Sequence, residues 1–552
     1  MIKIKYFLII LITLISVKIS FGQNEHNWGQ INGDFQLDAM YFLNDSSINA
    51  YQPKEKFGNN AYLSIFYSNK NISAGLRFES YLPAMVGYDP QTKGIGIAHR
   101  YIAYQSNNNN LKIKAGHIYD QFGLGLALRT YEDRSLGIDN AIDGIEISYQ
   151  MKDYLIVKGL IGTQKFFWGN TGNYIRGVDG EINVNKLNKK WSEGKWNFSL
   201  GTSFVSKYEE DKDPLYKLPE NIGIWAIRYQ LSSPFMLWNT EIAFKSQDPS
   251  KVNNYIYRKG NGAHTDITFF GNNWGIYLAA HRMDNLDFRM LRNESGIRSI
   301  INYIPALTQP QNYILVKNYP YASQAIGEWA FSGQGNFTIP KNTALGGNYG
   351  TQIQINYSRM HNIDHKQIND TTPIMASGTD GYNSEFFKID KTVFFESADF
   401  IIDKRMSKNL KLNFLYNYTV YNSDVIEGHS DGTFYIHCGV LDLNYKFNKK
   451  NSIKVQLAHE YKEQHDKNWF GGLVEFAITS KWFISLQDEY NYGNPNKDDR
   501  QHFYLTGVSY VQNATRISVS YGKVKEGITC VGGVCRWTPA YYGIGINIST
   551  TF

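Results

Sequence analysis

Several features are scarce or absent in this chain of 552 residues, and their absence limits its class. Proline is scarce, at 14 residues, and cysteine is scarcer, at three. After residue 22 no apolar run approaches the roughly 20 residues that a membrane-spanning helix needs. The mean hydropathy of −0.40 agrees with this, so a bundle of transmembrane helices is excluded. Disorder is excluded as well, because 42% hydrophobic residues can bury a large core.

Signatures of catalysis and of metal binding are weak. The chain contains no His-Glu-x-x-His zinc motif. His361 and His365 flank Asp364 in a predicted outer loop, but spaced histidines in a polar loop are usually solvated rather than bound to a metal. We therefore expect that the protein is not an enzyme and that it holds neither a metal nor another cofactor.

The N-terminus predicts export from the cytoplasm. Residues 1–5 carry two lysines, residues 7–17 are apolar over the length of a secretory signal, and Gly22 is small. Cleavage after Gly22 divides the chain into a signal peptide, 1–22, and one domain, 23–552. Without the signal peptide the net charge is +3, which is too small a basic excess to predict a nucleic-acid partner.

The rest of the chain has the pattern of amphipathic strands. In the last strand, 544–552, the even positions are mostly apolar and the odd positions are small and polar. The same period of two recurs in 72–79, 196–204, 351–358 and 410–420. These strands exceed the roughly five or six residues that are usual in globular proteins. Aromatic residues make up 15% of the chain, and Tyr and Trp cluster toward the strand ends, which favours an outer-membrane barrel over a soluble sandwich.

Turn spacing predicts the size of the barrel. Read back from Phe552, short polar turns alternate with longer connections, as periplasmic turns alternate with outer loops. We therefore predict an all-β fold, a single large antiparallel transmembrane β-barrel of about 24 strands, within a range of about 22 to 26. The connection at 185–194 is long for a periplasmic turn. Phe552 is the expected signal for the barrel-assembly machinery.

A barrel of this width needs to be narrowed. Barrels of about 16 to 18 strands leave a water channel, whereas about 22 strands enclose a lumen that is normally plugged. Strand patterning begins near Gly29, so we expect no plug domain before the barrel. We expect the long extracellular loops, chiefly 287–324 and 361–391, to fold over or into the lumen.

The three cysteines divide into a pair and a single residue. Cys530 and Cys535 enclose a Gly-Gly pair between the last two predicted strands. We predict a disulfide there, because the compartment is oxidising and the glycines allow so short a loop to close. Cys438 lies in a predicted strand, and we expect it to be a buried free thiol.

Charged residues concentrate in 129–146 and 176–182, where outer connections re-enter the wall. Inward-facing arginines and acids there would form a constriction that selects solutes by charge. The alternative, which we favour, is an ion-pair network that pins an infolded loop to the wall. The candidate lumen residues are Arg77, Glu79, Lys112, Lys114, Arg129, Glu132, Asp133, Arg134, Asp139, Asp143, Arg176, Asp179 and Glu181.

Four sequence elements resemble a known group of proteins. They lie at 29–36, 140–144, 176–183 and 522–536, and the last contains Cys-Val-Gly-Gly-Val-Cys. Together they resemble an uncharacterised family of outer-membrane β-barrel proteins from the Bacteroidota, over essentially the whole mature chain. The resemblance implies the barrel fold and an outer-membrane location, and it carries no catalytic or binding residues.

Two functions fit these observations. The first is a pore or porin-like channel for polar solutes with a loop-constricted lumen. The second is a non-transporting barrel subunit of a larger outer-membrane secretion or assembly complex. In both cases we expect the cell outer membrane as the location, with membrane lipids, lipopolysaccharide and, during biogenesis, the barrel-assembly machinery as partners. An energy-coupled transporter is disfavoured because no energy-coupling box is evident near the N-terminus.

Overall fold

The computed structural model describes residues 29–428 and 430–552, and its main feature is one closed antiparallel sheet. The sheet contains 24 strands and closes because the first strand pairs with the last, Asp34 opposite Thr551 and Leu43 opposite Tyr542. The predicted all-β barrel of about 24 strands is confirmed. The predicted signal peptide lies outside the described residues.

The strands of the described residues alternate along the chain with turns and loops. In chain order they are β1 (Gln30–Leu43), β2 (Phe57–Asn69), β3 (Ile72–Tyr81), β4 (Gly94–Gln105), β5 (Leu111–Ile118), β6 (Gln121–Phe122), β7 (Leu128–Arg129), β8 (Glu132–Asp133), β9 (Ile138–Asp139), β10 (Ile142–Met151), β11 (Leu155–Phe166), β12 (Gly169–Asn183), β13 (Asn197–Tyr208), β14 (Asn221–Ser233), β15 (Met236–Lys245), β16 (Gly260–Phe270), β17 (Trp274–Asp284), β18 (Gly327–Ile339), β19 (Thr351–Ile363), β20 (Ile389–Arg405), β21 (Leu410–Asn422), β22 (Thr433–Lys446), β23 (Ser452–Tyr461), β24 (Trp469–Ala477), β25 (Trp482–Tyr490), β26 (His502–Gln512), β27 (Thr515–Val524), β28 (Gly527–Val531), β29 (Val534–Thr538) and β30 (Tyr541–Thr551). Strands β1–β5, β10–β27 and β30 form the barrel, whereas β6 with β7, β8 with β9, and β28 with β29 form short hairpins inside connections.

The helical segments within 29–428 and 430–552 are single turns. They are Ser46–Ile48, Pro90–Thr92, Val184–Leu187, Lys189–Ser192, Lys251–Asn253, Val316–Asn318, Ser423–Ile426 and Lys497–Asp499. Within the described ranges no helix has the length and the apolar character required to cross a membrane.

Side-chain alternation along the strands separates an outer from an inner surface. In β13, Leu200 and Phe204 are exposed on the outer surface, whereas Ser203, Val205 and Lys207 are buried inside. An apolar outer face combined with a polar or packed interior is the arrangement of outer-membrane barrels. The period of two that predicts the strands therefore also positions the inward side chains.

Short turns and long loops occupy opposite ends of the barrel. The connections at the end that carries Phe552 coincide with the predicted periplasmic turns, including the long one at 184–196. Following the topology of outer-membrane barrels, we refer to this end as periplasmic and to the other as outer. The longest connections, 285–326, 364–388 and 119–141, all lie at the outer end.

Two outer loops, 119–141 and 285–326, fold into the lumen, and we call them together the plug. Phe122 and Phe288 of the plug pack with inward-facing Ile224 of β14 in one buried apolar cluster. The prediction that a loop near 287–324 narrows the lumen is confirmed. Residues 119–141 form the other half of the plug, which the loop prediction had not included.

The loop predicted at 361–391 follows a different course. In the structure 364–388 lies at the outer rim, where Phe386 packs edge-on against Trp329 on the outward face of β18 (ring centroids 6.1 Å apart). Its composition explains the difference, because it is rich in Asp, Asn, Thr and Gly, whereas 285–326 is rich in Ile, Leu and Tyr. Only the second composition can fill an apolar interior.

Candidate functional site: the plugged lumen

Arg77 is the centre of the contacts that hold the 119–141 half of the plug against the wall. It faces inward on β3, is 5% exposed, and donates through Nε to Glu79 Oε1 at 2.5 Å. Its Nη1 and Nη2 donate to Glu132 Oε2 at 2.6 Å and to Asp139 Oδ2 at 2.9 Å. Asp139 also pairs with Lys165 of β11. One arginine of the wall therefore binds two carboxylates of the loop, those of Glu132 and Asp139. Lys165 of the wall binds Asp139 as well.

Arg134 extends this network toward the first strands of the barrel. Its Nε donates to Glu132 Oε1 at 2.9 Å, and its Nη1 donates to Gln36 Oε1 of β1 at 3.0 Å. The guanidinium also stacks on the Tyr62 ring at 4.4 Å. Asp133 has a different role, because its carboxylate accepts hydrogen bonds from the backbone of its own turn.

Arg129 joins the two halves of the plug. Its backbone N–H donates to the Ile301 carbonyl at 2.8 Å. Its guanidinium stacks on Tyr131 at 4.7 Å and on Tyr303 at 3.9 Å. The side chain is therefore engaged between the loops and does not line an open passage.

A second inward network lies on the wall at β12 to β14. Arg228 donates to Asp179 Oδ1 at 2.7 Å and to Glu181 Oε2 at 3.0 Å, and Ser203 Oγ donates to Asp179 at 2.7 Å. Two of these residues are predicted candidates, but Arg228 was missed. It occupies an inward position of β14, so the alternation of that strand was the signal that could have identified it.

Two predicted candidates lie off the lumen. Arg176 shares the outward face of β12 with Tyr174 and Val178, which are both 56% exposed. Asp143 pairs with Arg100 (Nη2 to Oδ2 3.0 Å), whose guanidinium is half exposed on the outer face of β4. The structure therefore places Arg176 and Asp143 on the outer face of the wall, although both were predicted to face the lumen.

Lys112 and Lys114 face inward on β5, below the plug. Lys114 Nζ lies 4.7 Å from the centre of the Tyr101 ring. The exposure of inward side chains along β19 shows how this half of the lumen differs from the outer half. Asn356 is 4% exposed beneath the plug, whereas Gln352, nearer the periplasmic end, is exposed. Inward side chains of β19 are therefore less covered toward the periplasmic end than beneath the plug.

The segment 306–321 of the plug crosses the lumen to the opposite wall. Gln311 Nε2 donates to Asp399 Oδ2 of β20 at 2.7 Å. Further along, the Ile314 N–H donates to Gln456 Oε1 of β23 at 2.9 Å. Ile314 and its neighbours also pack on apolar inward residues of β21 to β24. The loop is therefore anchored on both sides of the barrel.

A buried charge cluster that was not predicted anchors the first half of this loop. Lys207, with no exposed surface, donates to the Arg289 carbonyl at 2.6 Å and lies 3.0 Å from Asp248 Oδ1. Arg289 binds Asp287 through two hydrogen bonds of 2.7 and 2.6 Å. Burial alone would raise the pKa of Asp287, but Arg289 and the nearby lysines outweigh burial and hold that pKa below its usual value.

A cavity of about 960 Å³ remains between the plug and the seam of the barrel, where the first strand, β1, pairs with the last, β30. The segment 306–321 forms one side, and inward Asp38 of β1, Asn60 of β2 and Gln487 of β25 form the other. A second cavity of about 370 Å³ lies at the outer mouth and is rich in aromatic residues. The hairpin of β28 and β29 separates the two cavities, because both are lined by its residues.

The predicted disulfide closes this hairpin. Cys530 and Cys535 are bonded, as predicted, and the Gly-Gly tip between them contacts the plug. Tyr303 Oη donates to the Gly532 carbonyl at 2.7 Å, and the next carbonyl accepts from the Ser323 N–H at 3.0 Å. Cys438 is a buried free thiol in β22, also as predicted.

The remaining sequence motifs do not converge on a common site. His361 Nε2 accepts from Arg359 Nε at 2.8 Å, and His365 packs against a tyrosine ring. Phe552 ends the last strand with a 63% exposed side chain, and its role as an assembly signal stays a prediction.

The fold and the lumen define a plugged β-barrel of the outer-membrane type. The chain belongs to a family of unknown function (DUF6029), which matches residues 1–552. This agrees with the predicted resemblance to an uncharacterised family. No curated protein matches the chain in sequence.

Solved barrels are similar only in general architecture. The siderophore receptor PirA from Pseudomonas aeruginosa has 10% identity and a TM-score of 0.41, covering 96% of this chain and 81% of the receptor. The ferric yersiniabactin receptor FyuA from Yersinia pestis has 9% identity and a TM-score of 0.35, covering 96% and 81%. The P pilus usher (PapC) translocation pore has 7% identity and a TM-score of 0.41, covering 95% and 98%. Similarity at this level does not extend to what those proteins bind or translocate.

Proposed function

We propose that the protein is an exported outer-membrane channel for polar solutes, and that its own outer loops form a resident plug. The observation that carries the proposal is the cavity of about 960 Å³ between the segment 306–321 and the seam of the barrel. It extends from the outer hairpin to Asp38, which lies midway along β1.

The lining of this cavity suits hydrated solutes. Asp38, Asn60 and Gln487 contribute carboxylate and amide groups from three barrel strands, and Lys317 of the plug contributes an ammonium group. Pore-lining groups of both signs bind ions and polar molecules weakly enough to release them. The charged residues of 119–141 have another role in this proposal, because their ion pairs join the plug to the wall. Solute selection is therefore assigned to the seam side of the lumen.

Single-channel conductance in planar bilayers tests the proposal. Residues 308–318 are replaced by a short Gly-Ser linker, which removes the part of the plug that borders the cavity. We expect the wild type to conduct weakly and the variant to conduct several-fold more current. The control is a matched replacement of 367–377 in the loop 364–388 at the outer rim, which we call the rim loop. This variant should conduct at the wild-type level.

The conductance results separate this proposal from its alternative. If the wild type and the 308–318 variant are both silent although they are inserted and folded, the channel proposal is refuted. Equal gains from both loop replacements would show that the segment 306–321 does not control the path.

One observation favours the alternative, a non-transporting subunit of an outer-membrane secretion or assembly complex. Phe387 of the rim loop and Leu215 of another outer loop are 86% and 82% exposed, and apolar side chains so exposed are candidates for docking a partner. Co-purification from native membranes in mild detergent tests this function. A stoichiometric partner that is lost from the Phe387→Ser, Leu215→Ser variant would support it.

A further inference from the structure

Arg536 forms no direct ion pair with a carboxylate of the described residues. It lies on β29 in the disulfide hairpin, and its Nε and Nη1 are buried without a hydrogen-bond partner in the described structure. Its guanidinium stacks on the face of Tyr88, 4.4 Å from the ring centre. Burial lowers the pKa of Arg536, which shows how unfavourable its surroundings are for a lone cation. A buried charge of this kind normally has a counter-ion.

Thr538 adds a second unused polar group beside it. Its Oγ1 is also buried without a partner, and it lies two positions further along the same face of β29. Gly87 packs closely against both groups, since a Cβ there would lie 3.0 Å from Thr538 Oγ1 and 3.2 Å from Arg536 Nη1. Arg536 and Thr538 both line the larger cavity, so a solute in that cavity can reach them.

The acids of the outer mouth are already engaged. Asp89 binds Arg298, and Asp139 binds Lys165 and Arg77. Asp133 acts on Arg536 only through its charge, because its carboxylate accepts hydrogen bonds from its own turn. Among the described residues, Arg536 is therefore a cation without an ion-pair partner on the wall that the two cavities share.

We propose that Arg536 and Thr538 bind the oxyanion group of an incoming solute, a carboxylate or a phosphate, at the mouth of the plugged lumen. A guanidinium presents parallel N–H groups that match the geometry of such oxyanions, and a hydroxyl adds a third donor. The rings of Tyr88, Trp168 and Trp537 line the smaller cavity and suit a solute with a flat apolar part. The inference rests on the proposed channel function and names the charge class of its solute.

Equilibrium dialysis of the purified full-length protein in detergent tests this site. The probes are 1-naphthoate, 1-naphthyl phosphate and the neutral 1-naphthamide, which share one ring system. We expect the wild type to bind at least one anion about tenfold to a hundredfold more tightly than the amide, the range for a hydrogen-bonded charge. The better of the two anions shows whether the natural group is a carboxylate or a phosphate.

Four variants assign the effect to the site. R536Q should reduce anion binding to the level of the amide, and T538V should weaken it about threefold to tenfold. R536K keeps the charge and should retain part of the binding even if R536Q folds poorly. R405Q, at the periplasmic end of β20, is the matched control and should bind like the wild type.

Equal binding of naphthoate, naphthyl phosphate and naphthamide by the wild type would overturn the proposal, as would full anion binding by folded R536Q. Failure of the anion site can be distinguished from failure of the channel proposal, because binding measured by dialysis does not require the barrel to conduct. A conducting barrel that binds no anion refutes the site alone, and a silent barrel that binds anions refutes the channel alone.

Discussion

The Arg77 network makes a quantitative prediction about the plug. Replacing Arg77 by Met removes the guanidinium that binds Glu79, Glu132 and Asp139, but keeps an apolar stem of similar length. Removing one partner of a buried ion pair costs about 3 to 5 kcal/mol, because the other charge stays buried without compensation. We expect the 119–141 loop to detach from the wall more often in this variant.

The structure indicates where in that range the cost lies. Glu132 keeps Arg134 at 2.9 Å, and Asp139 keeps Lys165. These two acids are also partly exposed, at 21% and 17% of their side chains. Glu79, at 5%, keeps only a hydroxyl donor. The uncompensated charge therefore falls on one residue, and the expected cost is about 3 kcal/mol, the lower end of the range.

Hydrogen exchange measured by mass spectrometry reports this cost directly. A loss of about 3 kcal/mol in the local opening free energy accelerates exchange of the 119–141 amides about 150-fold. Adding Glu79→Gln to the Arg77→Met variant removes the orphaned charge and should restore part of the protection. Arg176→Met, on the outer face, is the matched control and should have no effect. Unchanged exchange of the loop in folded Arg77→Met would refute the assignment of this network as the anchor of the plug.

Two further predictions concern the outer connections. Replacing Cys530 and Cys535 by Ser should leave the barrel folded, because so short a loop adds little loop-closure entropy, but should accelerate hydrogen exchange of 527–538 and weaken anion binding at the hairpin. The hydrogen bond to Asp466 raises the pKa of His465. The contact between the protonated imidazole and Asp466 is therefore fully formed below the ordinary pKa of histidine, and it is lost as the pH rises through the raised pKa of His465. After correction for intrinsic rates, 462–468 should exchange faster at about pH 9 than at about pH 6, and Asp466→Asn should abolish the difference.

The strands and turns of this barrel could be predicted because both depend on local information. The period of two in 410–420 and 544–552 identifies β21 and β30, and short polar turns locate the periplasmic end. The disulfide was predictable for the same reason, since its two cysteines are separated by a Gly-Gly turn and lie opposite each other in one hairpin.

Partners within the lumen could not be predicted in this way. Arg77 and Glu132 are 55 positions apart, and only the course of the infolded loop brings them together. Arg176 is a different case, because its face could be determined locally. Arg176 lies two positions from both Tyr174 and Val178, so it shares their face of the strand. The alternation that predicts β12 therefore already places Arg176 on the outer face. Assigning a whole charged segment to the lumen ignored that alternation.

The inward residues of the wall also indicate where the plug docks. In an open pore the inward positions are polar on every strand. Here β13 and β14 carry apolar inward residues such as Val205 and Ile224, and these pack on the plug. Midway along the seam the inward positions are polar, with Ser518 of β27 and Asn547 of β30 near Asp38, whereas Met40 and Phe42 at the outer end of β1 pack with Val86. Because apolar side chains in a water-filled lumen would be unfavourable, the apolar sector fixes where the loops bind, and the polar sector borders the cavity that the plug leaves unfilled.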